Sequence, residues 1–163
     1  MPEHALLVPF PELGPVVEPW LELSALTKPS HGIPAHVTLL YPCPGDDEAI
    51  RDVLAPVEAF EVAFRESRRF DGEILYLVPE PAEPFLRTTE ALVERFPDWP
   101  PYGGTHETVV PHLTVAEGAA CDQAEAALAP GLPLYGRARG AVLLAQVAPE
   151  RWELQARLAF GGG

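Results

Sequence analysis

The chain is poor in positive charge. Eleven Lys and Arg stand against 24 Asp and Glu in 163 residues, a formal net charge of −13. A protein that holds a long polyanion needs a basic surface from which counterions are released, and the longest basic run here is Arg68-Arg69. Extensive binding of duplex nucleic acid is excluded on that ground; a small anion in a concave site is not. Cysteine is scarce too. Cys43 and Cys121 are the only two, with no C-x-x-C spacing, and free thiols in a reducing compartment are the expectation. No stretch approaches the ~20 apolar residues of a membrane span. The opening Met1-Pro2-Glu3-His4 has no basic segment ahead of an apolar run, so no membrane partner and a cytoplasmic location are expected. Proline is the residue in excess, at 20, clustered between candidate elements where it stiffens loops and ends strands. A composition 47% apolar and 21% charged is that of a globular protein, and the length suits one domain covering residues 1–163.

Two short stretches stand out. Ala35-His36-Val37-Thr38-Leu39-Leu40-Tyr41 and Pro111-His112-Leu113-Thr114-Val115-Ala116 each place a histidine and a threonine two residues apart in an apolar run. In a β-strand residues i and i+2 face the same way. His36 and Thr38 then share one face over Val37 and Leu39, and His112 and Thr114 repeat the arrangement over Leu113 and Val115. Either motif alone reads as a plain strand with a threonine present for its β-propensity. The matched pair, half a chain apart, reads as a site. A third match, His106-Glu107-Thr108, would turn Glu107 toward the core and is set aside, although His106 could approach a substrate from its loop. His4 and His31 read as surface residues.

The rest of the pattern supplies two similar halves. Residues 5–10 read as a strand and residues 16–26 as a helix whose regular part begins near Pro19. After the first histidine strand, Asp46-Asp47-Glu48 opens a helix that buries Ile50, Val53, Leu54 and Val57. Phe60, Val62 and Phe64 alternate with polar residues, and Asp71-Gly72 marks a hairpin into Ile74-Leu75-Tyr76-Leu77-Val78. Pro84 starts a helix with Phe85, Thr89, Leu92, Val93 and Phe96 on its apolar side. A loop rich in Pro, Gly and aromatics leads to the second histidine strand. Asp122 and Glu125 resemble a capping box. Residues 134–147 read as one strand, and Trp152, Leu154, Ala156, Leu158 and Phe160 alternate with polar residues as the last. The expected architecture is α+β: two similar halves, each with one histidine strand, in a pseudo-two-fold arrangement that lets the two strands face each other across a cleft.

Brought together, two imidazoles and two hydroxyls supply an acid, a base and two neutral donors, enough for phosphoester hydrolysis without a metal or cofactor. His36 and His112 are the candidate acid and base, in an order the residues leave open. Thr38 and Thr114 are the candidate phosphate donors. Tyr41, Trp99 and Tyr102 could stack on a base or pack in loops; Tyr41 and Tyr102 join the threonines as candidate substrate-binding residues. Two other readings stay open: a non-catalytic module that binds nucleotides or RNA ends, and a metal site of His36, His112 and His31, which lacks nearby carboxylate ligands.

At these residues the chain resembles the 2H phosphoesterase superfamily, and within it the bacterial 2′-5′ RNA ligase-like branch. Gly32-Ile33-Pro34-Ala35-His36-Val37-Thr38-Leu39-Leu40-Tyr41-Pro42 and Val110-Pro111-His112-Leu113-Thr114-Val115-Ala116 carry the resemblance. Cys43 departs from it, since an aromatic commonly follows that proline in relatives. The resemblance implies a bilobal α+β fold of two antiparallel sheets with flanking helices and a central cleft carrying His36, Thr38, His112 and Thr114. It also implies metal-independent activity on 2′,3′-cyclic or 2′-5′ phosphodiester bonds. A small nucleotide or RNA end is the expected partner, and the protein is expected to be a monomer.

Overall fold

The structure is a computed structural model that describes residues 2–25, 27–104 and 109–162. Its first strand, β1 (His4–Pro9), turns alternate residues to two environments: Leu6 and Val8 to the main core, Ala5 and Leu7 to a smaller cluster on the opposite face. Helix α1 (Gly14–Leu21) follows and the chain returns as β2 (His36–Leu40), antiparallel to β1. The helix begins at Gly14, ahead of the expected start near Pro19. Pro15 takes the early position, where a missing N–H is harmless, and Pro19 lies inside the helix at the cost of one backbone bond.

Helix α2 (Asp47–Leu54) is capped as its sequence implies: the Asp46 carboxylate accepts from the Ala49 N–H at 3.1 Å, a contact worth about 1 kcal/mol. The hairpin of β3 (Phe60–Phe70) and β4 (Ile74–Glu80) turns at Asp71 and Gly72, with φ of 49° and 75°. Helix α3 (Glu83–Arg95) buries Phe85, Thr88, Thr89 and Leu92, and β5 (Leu113–Glu117) continues from the second motif. Helix α4 (Cys121–Leu128) has no side-chain cap. Asp122 and Glu125 pair instead with Arg69 of β3, at 2.8 and 3.3 Å, so the expected capping box is not formed. Residues 134–147 are not one strand. They divide at Arg139 into β6 (Leu134–Ala138) and β7 (Gly140–Ala148), and β8 (Arg151–Ala159) ends the sheet. Cys43 and Cys121 are free and buried.

Among the described residues eight strands form one sheet in the order β6-β3-β4-β5-β2-β1-β7-β8. The expected pair of separate sheets is thus a pair of four-stranded halves, joined where β2 meets β5 through a single registered pair, Val37 with Leu113. The break in residues 134–147 follows from this, because β6 borders one half and β7 lies in the other. The halves are related in detail. In each, the strand carrying the motif pairs with its neighbour through a register shift just after the threonine: Leu7 faces Thr38 and Leu6 faces Leu40, while Tyr76 faces Thr114 and Leu75 faces Ala116. The bulge leaves two successive residues buried, Leu39-Leu40 and Val115-Ala116. Each half's helix lies beneath the other half's histidine strand, α1 against β5 and α3 against β2. There the Thr89 hydroxyl donates to the Leu39 carbonyl at 2.8 Å. Among the described residues no helix is long and apolar enough to cross a membrane.

Candidate active site

The join between the halves places the motifs. Because β2 and β5 run antiparallel with Val37 opposite Leu113, the same register sets His36 against Thr114 and Thr38 against His112. Val37 and Leu113 are fully buried, so the flanking residues turn to the opposite face. All six residues singled out from the sequence, His36, Thr38, Tyr41, Tyr102, His112 and Thr114, line one cavity of about 390 Å³ on that face.

The two imidazoles are held alike. Nδ1 of His36 lies 2.7 Å from the Pro34 carbonyl, and Nδ1 of His112 lies 2.7 Å from the Val110 carbonyl. A carbonyl only accepts, so in the neutral ring each Nδ1 carries the proton and each Nε2 keeps its lone pair for proton transfer. Their surroundings differ. The His112 ring stands edge-on to Phe70 and Tyr76, at 5.0 and 5.6 Å between centroids, and those two rings stack at 4.2 Å. Burial pulls the pKa of His36 from 6.5 down to about 4, against the Pro34 hydrogen bond and with help from the charge of His112. His36 is therefore neutral near pH 7 in the free protein.

The tyrosines form the rim. The Tyr41 hydroxyl donates to Glu3 at 2.6 Å, and burial followed by that carboxylate pushes its pKa to about 12. Its hydroxyl is thus engaged, leaving the ring for a ligand. The Tyr102 N–H donates to the Tyr41 carbonyl at 2.6 Å, with Tyr102 in the left-handed region at φ 53°. Its phenol is raised in pKa by burial, opposed by a hydrogen bond from the Thr38 hydroxyl.

Other lining residues were not legible as such. His31, read as surface, enters the cavity, as do Gln146 and Trp152. Trp152 meets the Tyr41 ring at 6.1 Å, and with Ile33, Leu7 and Leu144 it forms an apolar wall. Its position comes from a bulge: Leu143 faces Ala156 while Leu144 faces Leu154, which leaves Gln155 unpaired and switches the faces of β8. Trp152 and Leu154 turn to the cleft side, whereas Ala156 and Leu158 turn to the core. Unbroken alternation had placed all of them together. Trp99 does not line the cavity, and His106 lies outside the described residues. Among the described residues no Lys, Arg, Asp or Glu lines the cleft, and no three His, Cys, Asp or Glu gather as metal ligands. The site can hold an anion by neutral donors and imidazole.

A single antiparallel sheet among the described residues, with a His-x-Thr pair at each of its two central strands, is the arrangement expected of the 2H phosphoesterase superfamily. The sequence model of the 2′-5′ RNA ligase superfamily matches residues 9–148, and the chain belongs to that family. It superposes on Escherichia coli LigT complexed with 3′-AMP with a TM-score of 0.66, at 14% identity over 98% of this chain and 99% of that one. TT0787 of Thermus thermophilus is similar at a TM-score of 0.68 and 18% identity, over 98% of both chains. At such identities the likeness is one of fold. No curated protein matches the sequence.

Proposed function

We propose that the chain is a metal-independent phosphoesterase that opens 2′,3′-cyclic phosphates or cleaves 2′-5′ phosphodiester bonds of RNA ends or small nucleotides. The observation that carries this reading is the matched pair of imidazoles. Each is locked by its own strand so that Nε2 is the proton-transfer atom, and each has the other strand's threonine opposite it in register. The binding of 3′-AMP by LigT, a protein of the same fold, supports the nucleotide end of the reading.

In hydrolysis of a cyclic phosphate, water attacks phosphorus opposite a ribose oxygen. A bond forms from phosphorus to the water oxygen, and the bond to the ribose oxygen breaks. The water proton goes to Nε2 of one histidine and the departing oxygen takes a proton from Nε2 of the other. His36 is the base, because it is the imidazole kept neutral by burial; His112 is the acid. The hydroxyls of Thr38 and Thr114 donate to the non-bridging oxygens as charge grows on them. A cleft with no arginine or lysine among its described lining residues suits a phosphodiester monoanion.

The test is turnover of nucleoside 2′,3′-cyclic phosphates in the presence of EDTA. The wild-type protein is expected to hydrolyse them, and His36→Ala and His112→Ala each to lose about a thousandfold in kcat/KM, because general acid–base catalysis contributes roughly 10²–10⁴. Full activity in either variant would refute the mechanism, and tight nucleotide binding with no turnover would leave a binding module.

A further inference from the structure

We propose that Arg157 forms a second anion subsite, which takes the next phosphate of an RNA end whose terminal phosphoester lies at the two histidines. This rests on the reading of the cleft as a phosphoester site and deepens it by naming an RNA end, not an isolated mononucleoside, as the preferred ligand.

The sheet register carries the inference. Thr38 faces Leu7, Leu7 faces Val142, and Val142 faces Arg157. Residues directly opposite one another in a sheet project from the same side, so this row runs from the catalytic pair of strands to the edge strand on the cleft face. Arg157 is on that face only because of the bulge at Gln155. Regular alternation would group it with Glu153 and Arg151 on the far side. Three strand spacings place its Cα about 14 Å from that of Thr38, with the apolar Leu7 and Val142 between them, and a long side chain can close part of that distance. Leu7 and Val142 are themselves buried, in a cluster against which Ile33, Tyr41 and Trp152 pack, so the sugar that joins the two phosphates would cross this apolar cover.

Charge sets Arg157 apart. It lines a shallow cavity of about 260 Å³ with Pro9, Val142, Arg137 and Arg139. Arg137 is paired with Glu61 at 2.6 Å and Arg139 with Glu12 at 3.1 Å. Arg157 is exposed and has no acidic partner among the described residues. In a protein of net charge −13, Arg157 is thus the arginine of this hollow whose charge is not offset by a paired carboxylate. An unpaired guanidinium there recognises a phosphate oxygen.

Equilibrium binding of uridine 3′-monophosphate, uridine 3′,5′-bisphosphate and the dinucleotide UpU bearing a 3′-phosphate tests this by calorimetry at fixed salt. The wild type is expected to bind the dinucleotide about tenfold more tightly than the monophosphate, as one charge-assisted contact allows. Arg157→Ala should erase that advantage while leaving the monophosphate unchanged, and should flatten the log–log salt slope for the dinucleotide by about 0.7. Arg157→Lys should keep part of it. A bisphosphate that gains as much as the dinucleotide would support the subsite and assign it to the phosphate at the 5′-oxygen of the terminal nucleotide. Equal affinities for mono- and dinucleotide in the wild type, or an advantage that survives Arg157→Ala, would overturn the proposal. Because binding is the readout, failure of turnover on cyclic substrates would count against the catalytic reading and not against this one.

Discussion

Replacing His36 with asparagine isolates what burial does to this imidazole. In His36→Asn the introduced amide nitrogen falls near the position of Nδ1, so the hydrogen bond to the Pro34 carbonyl, 2.7 Å in the native protein, can be kept while the titrating group is removed. In the native protein burial lowers the pKa of His36 from 6.5 to about 4. The unfolded chain therefore binds a proton more readily than the folded one between those values. Stability contributed by the neutral ring is fully present above about pH 6.5 and is lost as pH falls toward about 4. At 1.36 kcal/mol per unit, the loss amounts to about 3 kcal/mol, a large part of a typical folding free energy of roughly 5–15 kcal/mol. Urea denaturation of wild type and His36→Asn at a series of pH values measures it. Acidic groups affect both proteins alike, so the difference between the two profiles belongs to His36. It should grow in favour of the variant by about 3 kcal/mol on acidification through that window. Parallel profiles would show that the native ring protonates as readily as in the unfolded chain, and would remove the argument for His36 as the base.

The threonines and the strand edge give two further expectations. Thr38→Val and Thr114→Val should each lower kcat on a cyclic phosphate by about 100-fold with a small change in KM, as loss of a donor to a developing oxyanion does; steady-state kinetics showing only a KM effect would assign them to ground-state binding. Gly140→Ala should cost about 1–3 kcal/mol in thermal denaturation, because a Cβ there would lie 2.6 Å from the Leu158 carbonyl oxygen and 2.8 Å from the Ala159 Cα, and neither backbone atom can yield. An unchanged Tm would mean that β7 and β8 are not so closely joined.

Much of the site was legible because its signal is local. His36 with Thr38 and His112 with Thr114 lie two residues apart, and strand geometry alone puts each pair on one face. Tyr41 follows directly after β2, and Tyr102 lies in the loop that leads to the second motif. The Asp46 cap and the Asp71-Gly72 turn were legible for the same reason: each depends on residues within one turn of chain. Trp152 and His31 were not. Trp152 sits in an alternating run that reads as core, and nothing in that run marks the extra residue that switches its face. Asp122 and Glu125 read as a cap because their spacing matches one, but Arg69, 53 and 56 residues away in sequence, holds both carboxylates elsewhere.

The strand faces of the two motifs, the α+β order of elements and the acidic character that disfavours long nucleic acids all follow from the order of amino acids. They rest on side-chain periodicity, turn stereochemistry and composition, which act over a few residues or over the whole chain without regard to fold. Three other features came from the folded arrangement alone: the meeting of the halves at Val37 and Leu113, the neutrality of His36, and the place of Arg157 on the cleft face. Each depends on pairing between segments distant in sequence. One register pair joins the motifs, enclosure by both halves desolvates His36, and a one-residue bulge opposite β7 reverses the side of the sheet on which the rest of β8 projects.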